Sequence, residues 1–331
     1  MPLSYLNVDV INPSTVNHVN VNGILLRSLV GTPGSINKYI GTSAPVTMTG
    51  TSNLMLGSGG GAITSGFNNT VLGLFSGGSL TQGSDNVAIG VTTLGQADLS
   101  SYNIAIGTLA LFNAVSGVYG DIAIGYETLR NLTSPASGEN TVIGYRAMYN
   151  ATTSGGSAVL GGNAGYNTTT GQNNVFLGRG AGFNNTTGSN NICIGLSSNA
   201  ATAITSDSIT LGNSSNNILR CAVTSITSLS DARDKKEIVA LPVGLKFIEG
   251  LKPVSFVWDD RNEEGKHDVK DFGFIAQDLK QSQEDSKLAD TLKLVYEENP
   301  EKLEASYGKL IPILVKAIQE LSAEVKQLKA K

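Results

Sequence analysis

The chain has 331 residues, a formal net charge of −4 and 15% charged residues, long enough for more than one core and suggesting about two domains. Nothing basic is clustered enough to follow a nucleic-acid backbone, which argues against DNA or RNA as a partner, and no stretch approaches the roughly 20 apolar residues that cross a bilayer. The start, MPLSYLNVDV, lacks the basic-then-apolar order of a signal peptide, and the two cysteines, Cys193 and Cys221, make neither a disulfide framework nor a metal-ligand cluster, so no cofactor or metal is expected.

Residues 1–50 contain two strand-like runs, YLNVDVI and ILLRSLV, broken by TPGS and TSAP. They are expected to cap the following region or attach it to a larger particle, because an open stack of strands exposes edges and apolar interior. His18, in VNHVNV, reads as one side chain of an alternating strand rather than a ligand.

Residues 51–212 repeat. The pentads NLMLG, NTVLG, NVAIG, NIAIG, DIAIG, NTVIG, SAVLG, NVFLG, NICIG and SITLG end at Gly57, Gly73, Gly90, Gly107, Gly125, Gly144, Gly161, Gly178, Gly195 and Gly212, in steps of 16 to 19 residues, most of them 17. Each pentad alternates like a short β-strand. Positions two and four share one face, as Val87 with Ile89 or Ile122 with Ile124, and position three (Ala88, Ala105, Ala123, Val142, Phe176, Cys193) takes the other. Both faces are apolar, so both want burial, with Cys193 expected as a small buried hydrophobe. A second element, ALFN, AMYN, AGYN or AGFN, follows several pentads, and then come Asn, Gly, Ser and Thr turns suited to tight corners. One repeat is therefore predicted to be one turn of a β-solenoid.

The composition changes at 213–235. Of 39 glycines, 34 precede residue 222, whereas 17 of 23 Lys and Arg and 20 of 27 Asp and Glu follow residue 221. Residues 213–229 are expected to be a linker. From Ser230 the chain reads as a small α+β unit: a helical run at 240–251, the alternating KPVSFVWD with Trp258 expected in the core, an exposed charged loop carrying His267 as a solvated residue, and DFGFIAQDLKQ as a strand start followed by a helix. At the end Ile311, Ile318 and Val325 fall at heptad a, and Leu314, Leu321 and Leu328 at d. Pro312 belongs in a first helical turn, so this helix should begin near 309–311. β-branched a with leucine d favours pairs, so the seam argues for assembly without proving three chains; the stripe packing on its own domain is the competing reading.

The repeats over 53–212 resemble the parallel β-roll heads of trimeric bacterial adhesins and similar repeats in phage fibres. That resemblance implies a homotrimer, in which three chains around an axis would bury the third-position face. SDARDKKEI, LKPVSFVWD, GFIAQDL and YGKLIPILVKAIQEL, in order over 230–331, resemble the C-terminal intramolecular chaperone domain of phage endosialidases and tail fibres, the S74 peptidase family. Members of that family assist trimerisation of a β-rich fibre and then cut themselves off. The implied fold is mainly β, a parallel β-solenoid shaft followed by a small α+β chaperone domain ending in a coiled-coil helix at 309–331.

Carried over from that family, the scissile bond is Leu229–Ser230, with Ser230 and Lys235 as the working pair in a single-turnover autoproteolysis. Asp231 and Arg233 match the motif and are candidate supporting residues; Lys236 is excluded by the family spacing, and Glu237 stands where members often show asparagine. A serine hydroxyl needs a base, and a neutral lysine amine serves when burial or positive neighbours such as Arg233 lower its pKa. Five residues of separation do not bring Ser230 and Lys235 together in a strand or regular helix, so a loop fixed by the trimer is expected to do so. The resemblance implies a structural subunit of a viral tail fibre or appendage, located in the virion, with other fibre proteins bound through the N-terminal segment and a host-surface glycan or protein as possible receptor. A bacterial trimeric surface adhesin and a glycan-degrading fibre enzyme are the alternatives; the latter is disfavoured because the repeats are poor in acids and show no placed carboxylate pair.

Overall fold

The computed structural model describes residues 17–21, 24–30, 36–41, 49–57, 63–115, 117–133, 138–216, 218–222, 227–259 and 267–331. The expected strand YLNVDVI, the TPGS break, part of the 213–229 linker and most of the charged loop at 260–266 lie outside them, as does the side chain of His18. Two compact units divide between Asn213 and Ser214.

In the first unit β1 (Asn17–Val21), β2 (Ile24–Val30) and β3 (Ile36–Gly41) form an antiparallel meander. β3 then pairs in parallel with β4 (Leu54–Leu56), and β5 (Thr70–Leu72), β6 (Val87–Ile89), β7 (Ile104–Ile106), β8 (Ile122–Ile124), β9 (Thr141–Ile143), β10 (Ala158–Leu160), β11 (Val175–Leu177), β12 (Ile192–Ile194) and β13 (Ile209–Leu211) follow, each parallel to the next. Equivalent pentad positions pair across the rungs, as in Ile104↔Ile122, Ala105↔Ala123 and Ile106↔Ile124. The ladder reaches one coil further toward the N terminus than the ten pentads: Tyr39 pairs with Met55, and NKYIG at 37–41 is an eleventh version with polar residues in its middle.

The corner after each strand must be glycine. Gly161 has φ +145°, and a Cβ there would lie 2.3 Å from the Gly178 carbonyl oxygen of the next coil. From Gly57 to Gly178 the stacked corners leave no space for a side chain on the pentad glycines.

The interior is filled from two sides. Position three of each pentad points inward: Met55, Val71, Ala88, Ala105, Ala123, Val142, Val159, Phe176 and Cys193 are buried in one continuous core. Opposite the small residues Ala88, Ala105, Ala123 and Val142, the corner supplies Leu94, Leu111, Leu129 and Met148, all in left-handed backbone conformation with φ between 48° and 50°. That conformation costs about 1–2 kcal/mol for a non-glycine residue, and burying a leucine or methionine returns about 1.5–3 kcal/mol. Where position three is Phe176 the corner is Gly182, whose added Cβ would lie 2.5 Å from the ring. Large and small residues therefore trade places around a cross-section of fixed volume.

This arrangement corrects one expectation. The third-position face is interior to each coil, not the surface left for sister chains. Positions two and four point outward as two largely aliphatic rows, one from Val87 through Ile104, Ile122, Thr141, Ala158, Val175 and Ile192 to Ile209, the other from Ile89 through Ile106, Ile124 and Leu177 to Leu211. In β6, β7 and β8 the interior takes alanine and the larger valine or isoleucine residues face out; Ile209 is 70% exposed.

Just before most of the parallel strands a buried asparagine makes a second ladder, with Asp121, Ser157 and Ser208 in its place before β8, β10 and β13. Asn53, Asn69, Asn86 and Asn103 each accept through Oδ1 from the backbone N–H and the side-chain Nδ2 of the next rung, or in the case of Asn103 from the backbone N–H of Asp121. Each Nδ2 also donates to a carbonyl of its own coil, as Asn103 does to Val118. Buried amides are thereby satisfied.

In the second unit α1 (Leu245–Glu249) precedes the hairpin β14 (Val254–Asp259) and β15 (His267–Gly273), then α2 (Ala276–Asp285), α3 (Ala289–Leu292), the short pair β16 (Val295–Tyr296) and β17 (Glu304–Ala305), and α4 (Leu310–Lys329). Its core joins Leu292, Leu294, Leu310 and Ile313 with Leu241, Val243, Phe247, Ile248, Leu251, Phe274 and Leu288. The Glu320 carboxylate on α4 accepts from the Leu245 N–H at 2.7 Å, capping α1. α4 starts where Pro312 required. Its buried face is Leu310, Ile313 and Ala317, while Ile311, Leu314, Ile318, Leu321, Val325 and Leu328 are exposed, so the heptad stripe does not pack on its own domain.

Trp258 is not a core residue. It is 39% exposed, stacks edge-on against Phe256 and donates from Nε1 to Asp271 at 3.1 Å, because the β14–β15 hairpin has no described layer covering it. His267 begins β15, is exposed as expected for a solvated residue, and sits 3.1 Å from Asp259 Oδ1.

Candidate active site and receptor surface

Ser230 and Lys235 are brought together by one turn. Residues 232–234 form a 3-10 turn in which the Lys235 N–H donates to the Ala232 carbonyl, and Asp231 caps its start by accepting from the Arg233 N–H at 2.9 Å. Lys235 leaves the turn extended, which returns its side chain to Ser230: Nζ lies 2.5 Å from Ser230 Oγ and 3.2 Å from the Ser230 carbonyl oxygen. The turn achieves within one chain the contact for which a loop fixed by the trimer was one route.

Asp231 and Arg233 hold the turn rather than approach the lysine. The Arg233 guanidinium bridges both carboxylate oxygens of Asp231, with Nη2 at 2.6 Å from Oδ2. That bond, with the backbone N–H donor second, holds the Asp231 carboxyl below its usual range and raises the guanidinium above its own. The positive neighbour invoked for lowering the lysine is thus paired with the aspartate.

The segment 227–240 is exposed throughout, and Leu229, on the acyl side of the expected cut, is 100% exposed. The distance suits proton exchange between hydroxyl and amine. In the pose observed the ammonium donates to Oγ; with a neutral amine the hydroxyl donates along the same line and its oxygen is freed for attack. What the single chain lacks is burial of that amine.

Residues 230–287 match the family model described as the chaperone of endosialidase, Peptidase S74. A C-terminal endosialidase-chaperone domain therefore follows a parallel β-solenoid shaft. The match begins at Ser230 itself. No curated protein and no solved structure matches the chain. No described helix is long and apolar enough to cross a membrane, and no group of described residues has the composition of a metal site.

A second surface lies on the shaft. A shallow groove of about 760 Å3 is lined by Asn131, Asn150, Asn167 and Asn184 in one row and Thr152, Thr169 and Thr186 in another. The residues just before three of these asparagines, Tyr149, Tyr166 and Phe183, stack ring on ring at 5.3 and 5.5 Å. Sequence reasoning noted the repeated AMYN, AGYN and AGFN but not that stacking the coils turns them into aligned rows.

Proposed function

We propose that the protein is the structural subunit of a trimeric phage tail fibre or similar appendage, folded by its C-terminal endosialidase-chaperone domain, which then cuts the Leu229–Ser230 bond. The contact between Ser230 Oγ and Lys235 Nζ carries this reading. Lys235 takes the hydroxyl proton as Oγ bonds to the Leu229 carbonyl carbon. The C–N bond breaks as the lysine returns the proton to the Ser230 nitrogen, leaving an ester. Water then hydrolyses the ester to a Leu229 carboxylate and a free Ser230. Nucleophile and carbonyl are adjacent in one chain, so no bimolecular encounter is lost.

Assembly supplies what the exposed pair lacks. A sister chain laid over 227–240 would bury the amine and disfavour its charged form, tying the cut to assembly. Three features support a homotrimer: the two outward aliphatic rows, the exposed a and d residues of α4, and the uncovered β14–β15 hairpin. A lone two-stranded hairpin is marginal in water. α4 would form the coiled coil that holds three shafts in register while slow parallel pairing proceeds.

Other virion proteins would join through the N-terminal segment. The asparagine and threonine groove, uncharged and bordered by aromatic residues, is the surface best suited to a neutral hydroxylated receptor such as a glycan. On a denaturing gel the assembled wild type should give fragments 1–229 and 230–331, and Ser230→Ala a single full-length band; an uncut wild type that still assembles would leave a chaperone without a protease.

A further inference from the structure

One rung of the buried asparagine ladder is an aspartate. Asp121 occupies the head of its pentad, is 0% exposed, donates its backbone N–H to Asn103 Oδ1 at 3.0 Å, and accepts through Oδ1 from the Asn140 backbone N–H at 2.9 Å and from Asn140 Nδ2 at 2.8 Å. Oδ1 thus does what an asparagine Oδ1 does in the other rungs. Oδ2 has no hydrogen-bond partner.

In neighbouring rungs that second position is an amide nitrogen, which donates to the Oδ1 of the rung before: Asn86 Nδ2 to Asn69, and Asn103 Nδ2 to Asn86, at 3.0 and 3.1 Å. With Asp121 the position holds an oxygen facing the acceptor Asn103 Oδ1. Two acceptors meet there unless a proton lies between them. A carboxylic acid protonated on Oδ2 imitates the asparagine amide at its acceptor and at one of its two N–H donors, the one that reaches the rung before.

We propose that Asp121 is a proton-operated rung of the shaft: carrying a proton on Oδ2 it donates to Asn103 Oδ1 and closes the ladder, and on ionisation it loosens the coils from Asn103 to Asn140. Burial, the largest influence, pushes this carboxyl up to about 6, against the two hydrogen bonds from Asn140. Glu139, next to Asn140, adds like charge. The rungs on either side are the neutral amides of Asn103 and Asn140, and the strands packed alongside contribute Ile104, Ile122 and Thr141. Residues 134–137 are Ser, Pro, Ala and Ser, without a titratable group.

The sign is opposite to that of a surface ion pair. A folded-state value above the unfolded one means that the contribution is fully present below the unfolded value of about 4, and is lost as the pH rises through about 6. The shaft should be tightest in mild acid. Between the unfolded value of about 4 and the folded value of about 6, the opening equilibrium of these coils rises roughly tenfold per pH unit for each chain, and it levels off above.

The test is native-state hydrogen exchange on the full chain at about pH 4 to 8, read at coils 103–140 and compared at each pH with Asp121→Asn, which restores the amide and removes the titration. Protection in those coils of the wild type should fall relative to the variant by roughly tenfold per unit between about pH 4 and about pH 6 and level off above, with coils 175–212 unchanged. A parallel infrared titration should show a buried carboxylic-acid carbonyl band at pH 5, absent from Asp121→Asn. Equal protection in the two proteins at every pH, or a carboxylate already ionised at pH 5, would overturn the proposal.

Discussion

The Lys235 ammonium reaches the Ser230 hydroxyl because a single 3-10 turn, capped by Asp231, folds the chain between them. This contact is local, exposed and formed without a partner, so the pair is set by the motif itself and control of the cut falls to whatever later covers it. Removing the amine should therefore stop cleavage without disturbing the fold: Lys235→Ala should slow the appearance of fragments by about 10²–10⁴-fold, while Lys236→Ala cuts at the wild-type rate, measured by gel densitometry over time.

The proposed trimer rests on the outward rows. Ile106→Asp, facing away from the coil interior, should leave strand content by circular dichroism unchanged but abolish the trimer in sedimentation. A charge at three symmetry-related positions in an apolar contact is not tolerated unpaired. An unaltered trimer would place the interface elsewhere.

Phe176 and Gly182 share one volume, so each substitution should fail in its own way. Phe176→Ala leaves a cavity costing about 3–5 kcal/mol, and Gly182→Ala drives a Cβ into the ring and strains a left-handed corner. Combining Phe176→Ala with Gly182→Leu reproduces the pairing of Ala123 with Leu129 and should recover part of the loss, read as the chemical or thermal unfolding midpoint.

Glu320 caps α1 from α4. The Leu245 N–H is the largest influence holding its carboxyl below the usual range, with Lys316 at 3.4 Å assisting. A depressed folded value means that the contribution is present above the unfolded value and is lost as pH falls through the folded one. Exchange protection of the α1 amides should therefore persist at pH 5 and drop in stronger acid, and Glu320→Gln should show lower protection at pH 7 with little further change on acidification.

Much of the shaft was legible because one physical rule recurs in it. A glycine that alone fits a stacked corner, preceded by three alternating apolar residues, fixes strand, period and parallel register. Which face pointed inward was not legible, since both faces are apolar; the decision lies in volume, in the match of Ala88, Ala105 and Ala123 with leucines from the corner. NKYIG was passed over because Lys38 and Tyr39 break the apolar pattern while the asparagine and glycine keep it. The meaning of Asp121 was hidden for a related reason: D for N looks like ordinary turn chemistry until the stack turns the pentad heads into one buried column. In the second unit the motif marked Ser230 and Lys235, but spacing alone hid their contact because it depends on a cap and an extended residue. Trp258 was misplaced because large aromatic area is buried in most folds, and here no described element covers the hairpin.

Intact mass spectrometry of the purified, assembled wild-type protein tests the central claim most directly. The account predicts two species whose masses correspond to 1–229 and 230–331, the second with a free serine at its N terminus. A trimer whose subunits all keep the full-length mass, or a cut at any other bond, would contradict it.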